Sequence, residues 1–207
     1  MIFRLRPKGT RTLHECPQPV ESSTLIDNAT TYGWISILLH WLTAVALIAI
    51  WIIGKNTLNG DSTEVCARRA LHVSAAGSMW LVILFRVAWR FRSGHPHIRG
   101  LATKTHYLAK SVHYVMLVLL IAMLISGPLI VWADGHALVL FDTLTIPAPF
   151  TESEPTRSLA WTLHSQAAIA LAFLVILHIA AALKHLMFNS DDTIIRILWP
   201  EKNTEDQ

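Results

Sequence analysis

Charged residues are scarce in this sequence. Asp, Glu, Lys and Arg make up 15% of its 207 residues, whereas hydrophobic residues make up 53%. Soluble domains carry roughly 25% charged residues, so the composition argues against a soluble domain and favours an integral membrane protein. The formal net charge is +3, but the basic residues flank apolar runs instead of forming one patch. They therefore indicate membrane topology, and we expect no nucleic-acid partner.

Cysteine is equally rare, and its placement excludes several kinds of site. The two cysteines, Cys16 and Cys66, lie on either side of the first apolar run. A helix through that run would place them on opposite sides of a membrane, which argues against an internal disulfide. The sequence has no Cys-x-x-Cys or Cys-x-x-Cys-His pattern, so neither a zinc site nor a covalently attached haem is indicated.

Four long runs contain no charged residue at all. They span residues 35–54, 70–85, 112–133 and 158–183. A helix needs about 20 apolar residues to cross the hydrocarbon core of a bilayer. The second run reaches that length through residues 87–89 if Arg86 extends its side chain to the interface. Because lipid offers no partners to backbone polar groups, each run must be helical. The sequence predicts an all-α membrane protein, a bundle of four transmembrane helices.

The predicted organisation has three parts: a flexible N-terminal segment at 1–33, a transmembrane domain at 34–188 and a tail at 189–207. Of the 17 lysines and arginines, all but Lys55, Arg68, Arg69 and Arg157 lie on the side of the two termini. The positive-inside rule therefore places both termini in the cytoplasm. The connection at 134–157 contains three prolines, and we expect it to cross the outer face as an irregular lid.

Four histidines fall inside the predicted helices: His40, His72, His164 and His178. A histidine within a membrane is costly without a partner and is a candidate functional residue. His164 and His178 are 14 positions apart on one helix, which places them within about 40° of the same face and about 21 Å apart. By depth, His72 matches His164 near the outer side, and His40 matches His178 near the inner side.

Two histidine pairs across a helix bundle are typical of two bis-histidine haems, because each haem iron takes one imidazole on each axial face. The fold predicted in full is thus a four-helix bundle that encloses two b haems. The alternatives for any single histidine are a core residue with a satisfied hydrogen bond or a member of a proton relay. The predicted spans contain no Asp or Glu, which argues against a proton-conducting transporter.

Three further residues are candidates for cofactor binding. Arg86 lies 14 positions after His72, at the depth of the inner pair, where it could neutralise a haem propionate or simply extend to the interface. His113 and His185 lie at the predicted cytoplasmic interface, where they could line a quinone pocket or be solvated ends of helices. Gly77 follows His72 and could leave room for a flat macrocycle, although small residues are common where membrane helices meet.

Together these motifs resemble the bacterial cytochrome b561 family of small dihaem membrane cytochromes. The resemblance runs from about Tyr32 to Pro200. Its motifs, in chain order, are Ile37-Leu-Leu-His40-Trp41, Leu71-His72-Val-Ser-Ala-Ala-Gly77, Ser111-Val-His113, Leu163-His164, Leu177-His178-Ile-Ala-Ala-Ala, Lys184-His185-Leu-Met-Phe and Asp192-Thr-Ile-Ile-Arg196.

The resemblance implies a protein of the bacterial inner membrane that exchanges electrons with ubiquinone. It implies one haem between His40 and His178 and another between His72 and His164, with His185 near the bound quinone. It also implies an enzyme, a quinone-linked oxidoreductase of the superoxide oxidase type, in which superoxide reduces the outer haem.

The sequence leaves a second function open. The cytochrome b anchor subunit of formate dehydrogenases and hydrogenases has the same four-helix plan and passes electrons between a peripheral enzyme and quinone. Fold alone does not separate these functions. A homodimer and a peripheral redox partner both remain alternatives. The outer face carries more acidic than basic residues by count, so superoxide would be attracted only if the charges are segregated.

Overall fold

The computed structural model describes residues 25–27, 32–58, 60–93, 103–184 and 187. For residues 103–106 it describes the backbone alone. Its helices are α1 Trp34–Asn56, α2 Ser62–Ser93, α3 Thr103–Ala133 and α4 Glu154–Lys184. Each contains a stretch long and apolar enough to cross a membrane, which confirms the predicted four-helix membrane fold. Most of the predicted N-terminal segment and all of the tail lie outside the described residues.

The helices alternate in direction, so the bundle has two distinct ends. We call the end with the connections at 57–61 and 134–153 the outer end, and the opposite one the inner end. α1 packs closely on α2, α3 packs closely on α4, and α2 joins the two pairs through α3. Within the described residues, the backbone of α4 makes few or no close contacts with α1 and α2. Side chains, including histidines, bridge that separation.

The apolar core lies where α2, α3 and α4 meet. Its buried members are Ile83, Val87, Leu117, Leu120, Leu124 and Leu171. Many other large apolar side chains on the same helices point outward and are exposed. In water such a surface would favour association. On helices that span a membrane, it is the surface that contacts lipid.

Pro128 lies inside α3 and creates a tie to α2. Proline has no amide hydrogen, so the carbonyl of Leu124 one turn earlier loses its usual helical partner. Trp80 of α2 donates its Nε1 hydrogen to that carbonyl at 2.9 Å. α3 nevertheless remains one continuous helix through Pro128. A backbone group that would be costly to leave unpaired in lipid is thus satisfied by a side chain of the neighbouring helix.

The outer connection corrects one expectation. Strands β1 Leu138–Leu140 and β2 Leu144–Ile146 form an antiparallel hairpin in which Leu138 pairs with Ile146, so the prediction of a wholly irregular lid was wrong. The turn contains Phe141 and Asp142, both with positive φ, 48° and 56°. It lacks the Asn-Gly or Asp-Gly sequence that usually marks such a turn, which is why the sequence did not reveal it.

The hairpin is fixed to α2 beside the outer histidine. The backbone N–H of Phe141 donates to Ser74 Oγ at 2.9 Å. Leu140 packs against Gly77 so closely that a Cβ atom at this glycine would lie 2.5 Å from Leu140 Cδ2. The space beside Gly77 therefore accommodates a leucine of the hairpin, whereas the sequence suggested room for a macrocycle.

Candidate functional site

The four intramembrane histidines lie in two pairs at opposite ends of α4. Near the outer end, the ring centroids of His72 in α2 and His164 in α4 are 6.3 Å apart. Near the inner end, the centroids of His40 in α1 and His178 in α4 are also 6.3 Å apart. α4 therefore contributes one histidine to each pair, and the partners come from the two helices whose backbones stand apart from it.

The separation within each pair suits axial ligation of one metal ion. Imidazole–metal bonds are about 2 Å long, so two imidazoles on opposite sides of an ion have centroids about 6 Å apart. Among the described residues, no group of three or more His, Cys, Asp or Glu could hold a metal ion alone. Haem iron requires only two axial side chains because the porphyrin supplies its other ligands. The two pairs thus fit bis-histidine haem better than a bare metal ion.

Hydrogen bonds fix the tautomer of both outer histidines. His72 Nδ1 lies 3.0 Å from the carbonyl oxygen of Ile50, and a carbonyl can only accept, so Nδ1 carries the hydrogen. Ser126 Oγ donates its only hydrogen to the carbonyl of Ala122 at 2.6 Å and therefore accepts from His164 Nδ1 at 3.0 Å. In each neutral ring Nε2 keeps its lone pair. Hydrogen bonds of this kind usually orient metal-binding histidines.

Two glycines lie next to the same rings, but only one of them is needed to make room. A Cβ atom at Gly54 of α1 would lie 2.8 Å from Cε1 of His72, a distance that real contacts do not tolerate. A Cβ atom at Gly127 of α3 would lie 3.5 Å from Cε1 of His164, which is ordinary contact. Gly54 is therefore required by the position of the His72 ring, whereas Gly127 is not. Sequence reasoning missed both, as it missed Ser126 and the Ile50 carbonyl.

The inner pair has a different environment. Arg86 Nη2 lies 3.0 Å from His40 Nδ1. Arginine can only donate, so this contact makes Nδ1 of His40 an acceptor and leaves the hydrogen of the neutral ring on Nε2. His113 of α3 adjoins the pair, with its ring centroid 5.1 Å from that of His178. The structure thus brings Arg86 and His113 to the inner pair, whereas His185 lies outside the described residues.

The cations at the outer end differ in their partners. Arg68 pairs with Glu64 at 2.7 Å, and Arg157 pairs with Glu154 at 2.7 Å and with Asp134 at 3.4 Å. Lys55 follows Gly54 and lies over the ring of Trp51, with Nζ 5.4 Å from its centroid. Arg69, one turn before His72, is exposed. Within the described residues, neither Lys55 nor Arg69 forms an ion pair.

Four membrane-spanning helices with facing histidines across the bundle are typical of membrane cytochromes b. Comparison with known proteins gives the family. Residues 31–200 match the prokaryotic cytochrome b561 family, and the chain belongs to it. The chain is similar to cytochrome b561 homolog 2 of Escherichia coli (strain K12), with 30% identity over 170 residues that cover 81% of this chain and 90% of the relative.

Family membership confirms the predicted class of protein. The chain is a multi-pass membrane cytochrome, and membership implies b-type haem and electron transfer. The resemblance read from the histidine motifs is likewise confirmed.

Proposed function

We propose that the chain binds two b haems, one between His72 and His164 and one between His40 and His178, and passes electrons from the outer end to ubiquinone at the inner end. The observation that carries this proposal is that α4 presents one histidine to each of two pairs with the same 6.3 Å centroid separation. Bound haem would supply reversible one-electron transfer at each position.

The outer pair is prepared for ligation by its hydrogen bonds. Ile50 and Ser126 hold the Nδ1 hydrogens of His72 and His164, and these bonds orient the rings. Each ring would then be able to hold the haem iron through its Nε2 lone pair. We therefore assign to these two groups the role of positioning the outer ligands.

Arg86 changes partner in this proposal. If His40 binds iron through Nε2, its Nδ1 carries the hydrogen and can no longer accept from Arg86. The guanidinium must then leave its 3.0 Å contact with His40. A haem propionate is the acceptor that suits it, because a carboxylate can take two parallel hydrogen bonds from arginine. Arg86 would thus neutralise the inner cofactor.

His113 and His185 are the proposed quinone contacts at the inner end. Reduction of one quinone to quinol consumes two electrons and two protons, so the acceptor site needs groups that can deliver protons. His113 lies beside His178, with 5.1 Å between the two ring centroids. His185 lies seven residues after His178 along the chain and is assigned here by the family resemblance.

Superoxide is the proposed electron donor at the outer end. Two superoxide ions would each lose one electron and leave as molecular oxygen, which balances the two electrons taken up by one quinone. Lys55 and Arg69 are the cations that would attract the anion, because Arg68 and Arg157 are already paired with acids. In this arrangement the protein lies in the bacterial inner membrane with both termini in the cytoplasm, as the distribution of basic residues favours.

The first test is a reduced-minus-oxidised absorption spectrum of the purified protein, with haem measured per chain. We expect two haems that superoxide reduces and a soluble quinone analogue reoxidises. One haem per chain would contradict the two-site proposal. Two haems that ignore superoxide would contradict the proposed donor and favour the anchor-subunit function, in which case a peripheral redox enzyme should copurify.

Single histidine variants test the pairing. His72→Ala and His164→Ala should remove the same haem, and His40→Ala and His178→Ala should remove the other, so each variant keeps about half of the haem because an iron with one axial ligand is weakly held. The matched control is His136→Ala, whose side chain is 73% exposed in the outer connection and which should keep both haems. Loss of both haems from each variant in a folded protein would overturn the assignment.

A further inference from the structure

A buried ion pair joins the N-terminal segment to α2 at the inner end. Asp27 Oδ2 lies 3.5 Å from Arg90 Nη1, and the two side chains are only 3% and 8% exposed. Charged groups are rarely buried without a partner, and removal of one partner leaves the other uncompensated. This pair therefore constrains both elements that carry it.

Residues 25–27 also cap the first turn of α1. Asp27 Oδ1 accepts from the backbone N–H of Gly33 at 2.8 Å, and Asp27 Oδ2 accepts from Ser36 Oγ at 2.7 Å. The carbonyl of Leu25 accepts from the N–H of Ile35 at 3.3 Å. These bonds satisfy donors that the start of a helix leaves without partners. The backbone at Leu25 and Ile26 is in such close contact with Gly33 that no Cβ atom fits there.

The same cluster continues across to α2. Arg90 Nη2 donates to the hydroxyl of Tyr32 at 3.2 Å, and its guanidinium lies 5.0 Å from the centre of the Tyr32 ring. Trp89 Nε1 donates to Ser36 Oγ at 2.8 Å. Asp27 thus connects α1 to two consecutive residues near the end of α2.

This cluster adjoins the inner histidine pair on both helices. Ser36 lies one turn before His40 in α1, and Arg90 lies one turn after Arg86 in α2. Like charges at this helical spacing repel each other, and Arg86 contacts His40 directly. Within the described ranges, Asp27 is the one carboxylate at the inner end, since the other acids all lie in residues 61–64 and 134–154. Asp27 thus offsets one of two neighbouring positive charges.

We propose that Asp27 is a positioning residue for the inner haem site: it holds Arg90 and the start of α1 in place and supplies the negative charge that balances Arg90 beside His40 and Arg86. The inference rests on the proposed inner haem between His40 and His178. Asp27 precedes the residues 31–200 that match the family, so this role is a property of the segment that precedes the matched region.

The test is a redox titration of the purified holoprotein and of the variant Asp27→Asn. The variant removes the negative charge that lies 3.5 Å from Arg90, so the net charge beside the inner site becomes more positive, and a positive charge favours the reduced cofactor. We expect an upward shift of the midpoint potential of the haem that the His40→Ala variant removes, with no shift of the other haem. The matched control Glu64→Gln removes a carboxylate from the exposed Arg68 pair at the outer end and should leave the inner potential unchanged.

Two more variants distinguish charge from fold. Asp27→Glu should restore the inner potential toward that of the natural protein, and Arg90→Met should shift it in the opposite direction to Asp27→Asn. The double variant should lie between the single ones, because both charges of the pair are then absent. Unchanged inner potentials in folded Asp27→Asn and Arg90→Met proteins would overturn the proposal.

A second measurement on the same holoprotein needs no redox assignment. Hydrogen exchange at the amides of Gly33 and Ile35 should be faster in Asp27→Asn than in the natural protein, because the segment 25–27 would no longer hold the start of α1. Unchanged exchange would contradict the positioning role. If the natural protein lacks the haem that depends on His40, the proposed function itself fails, and that result is seen before any Asp27 variant is made.

Discussion

The two histidine pairs have the same spacing but opposite hydrogen-bonding states. His72 and His164 give their Nδ1 hydrogens to a carbonyl and a hydroxyl, and each neutral ring keeps the lone pair on Nε2. His40 accepts from Arg86 at Nδ1 and must rearrange before it can bind iron through Nε2. The outer pair already has the tautomer that haem binding through Nε2 needs. At the inner pair, the hydrogen of His40 must move from Nε2 to Nδ1, and Arg86 must leave Nδ1. We expect the outer site to load haem more readily than the inner one.

The close approach of Gly54 to His72 leads to a prediction at the same scale. Gly54→Ala should displace the His72 ring, because the added methyl group would lie 2.8 Å from its Cε1 atom. Over-packing of this kind costs about 1–3 kcal/mol, and the haem content should fall by about half as the outer haem is lost. Haem measured per chain in the purified variant checks this.

The matched control is Gly127→Ala in α3, where the new methyl group would be in ordinary contact with His164 at 3.5 Å. This variant should keep both haems. Equal haem contents in the two alanine variants would show that the His72 ring can move without loss of its cofactor, and would contradict the steric argument.

Lys55 and Arg69 are the residues on which capture of an anionic donor should depend. In the double variant Lys55→Gln, Arg69→Gln, superoxide should reduce the haem more slowly. The rate should fall by about tenfold at low ionic strength, because local charge raises association rates by this order or more. The difference should shrink as salt is added. Stopped-flow absorbance at several ionic strengths measures both effects.

Lys184→Gln provides the control for that comparison. It removes one positive charge at the inner end of α4, beyond the screening length of about 10 Å in 0.1 M salt, and should leave the rate of reduction by superoxide unchanged. A similar loss of rate in the control and in the double variant would mean that net charge, and not the position of Lys55 and Arg69, governs the reaction.

At the scale of helices, Pro128 and Trp80 act together. Trp80→Phe should remove the hydrogen bond that Trp80 donates to the Leu124 carbonyl in place of the missing proline N–H. A buried polar group without a partner costs about 1–3 kcal/mol, so the free energy of unfolding in mild detergent should fall by that amount. Trp161→Phe is the control, because Trp161 is 50% exposed on the lipid-facing surface. Equal losses in both variants would contradict this account.

The helices and the histidine pairs were accessible from the sequence for physical reasons. A charge-free run of membrane length has only one backbone solution in lipid, and helical geometry fixes the depth of His164 relative to His178. Depth then indicated which histidines lie near each other. The Nδ1 partners could not be predicted from the sequence. Every residue has a backbone carbonyl, so nothing singles out that of Ile50, and Ser126 shows no pattern that separates it from other helix serines.

Asp27 and the outer hairpin escaped sequence reasoning for a different reason. Asp27 lies in a polar stretch without periodicity, and only the folded chain shows that this carboxylate is buried against Arg90. The hairpin turns at Phe141 and Asp142, both with positive φ, and a bulky residue such as Phe seldom adopts that conformation. In both places long-range contacts, with α2 in each case, override what the local sequence favours.

At the scale of the whole molecule, the placement of both α4 histidines on one rigid helix has a consequence for spacing. His164 and His178 are joined by 13 intervening residues of continuous helix, so the interval between the two proposed redox centres is set by the covalent chain. Repacking of the other three helices can alter the angle or bond length at either centre without changing how far an electron travels. Because each added residue turns a helix by about 100°, an insertion or deletion between these histidines would point one of them into lipid. Small changes in helix packing should therefore leave the distance between the two proposed haem sites unchanged. An insertion or deletion between His164 and His178 should destroy one of the sites.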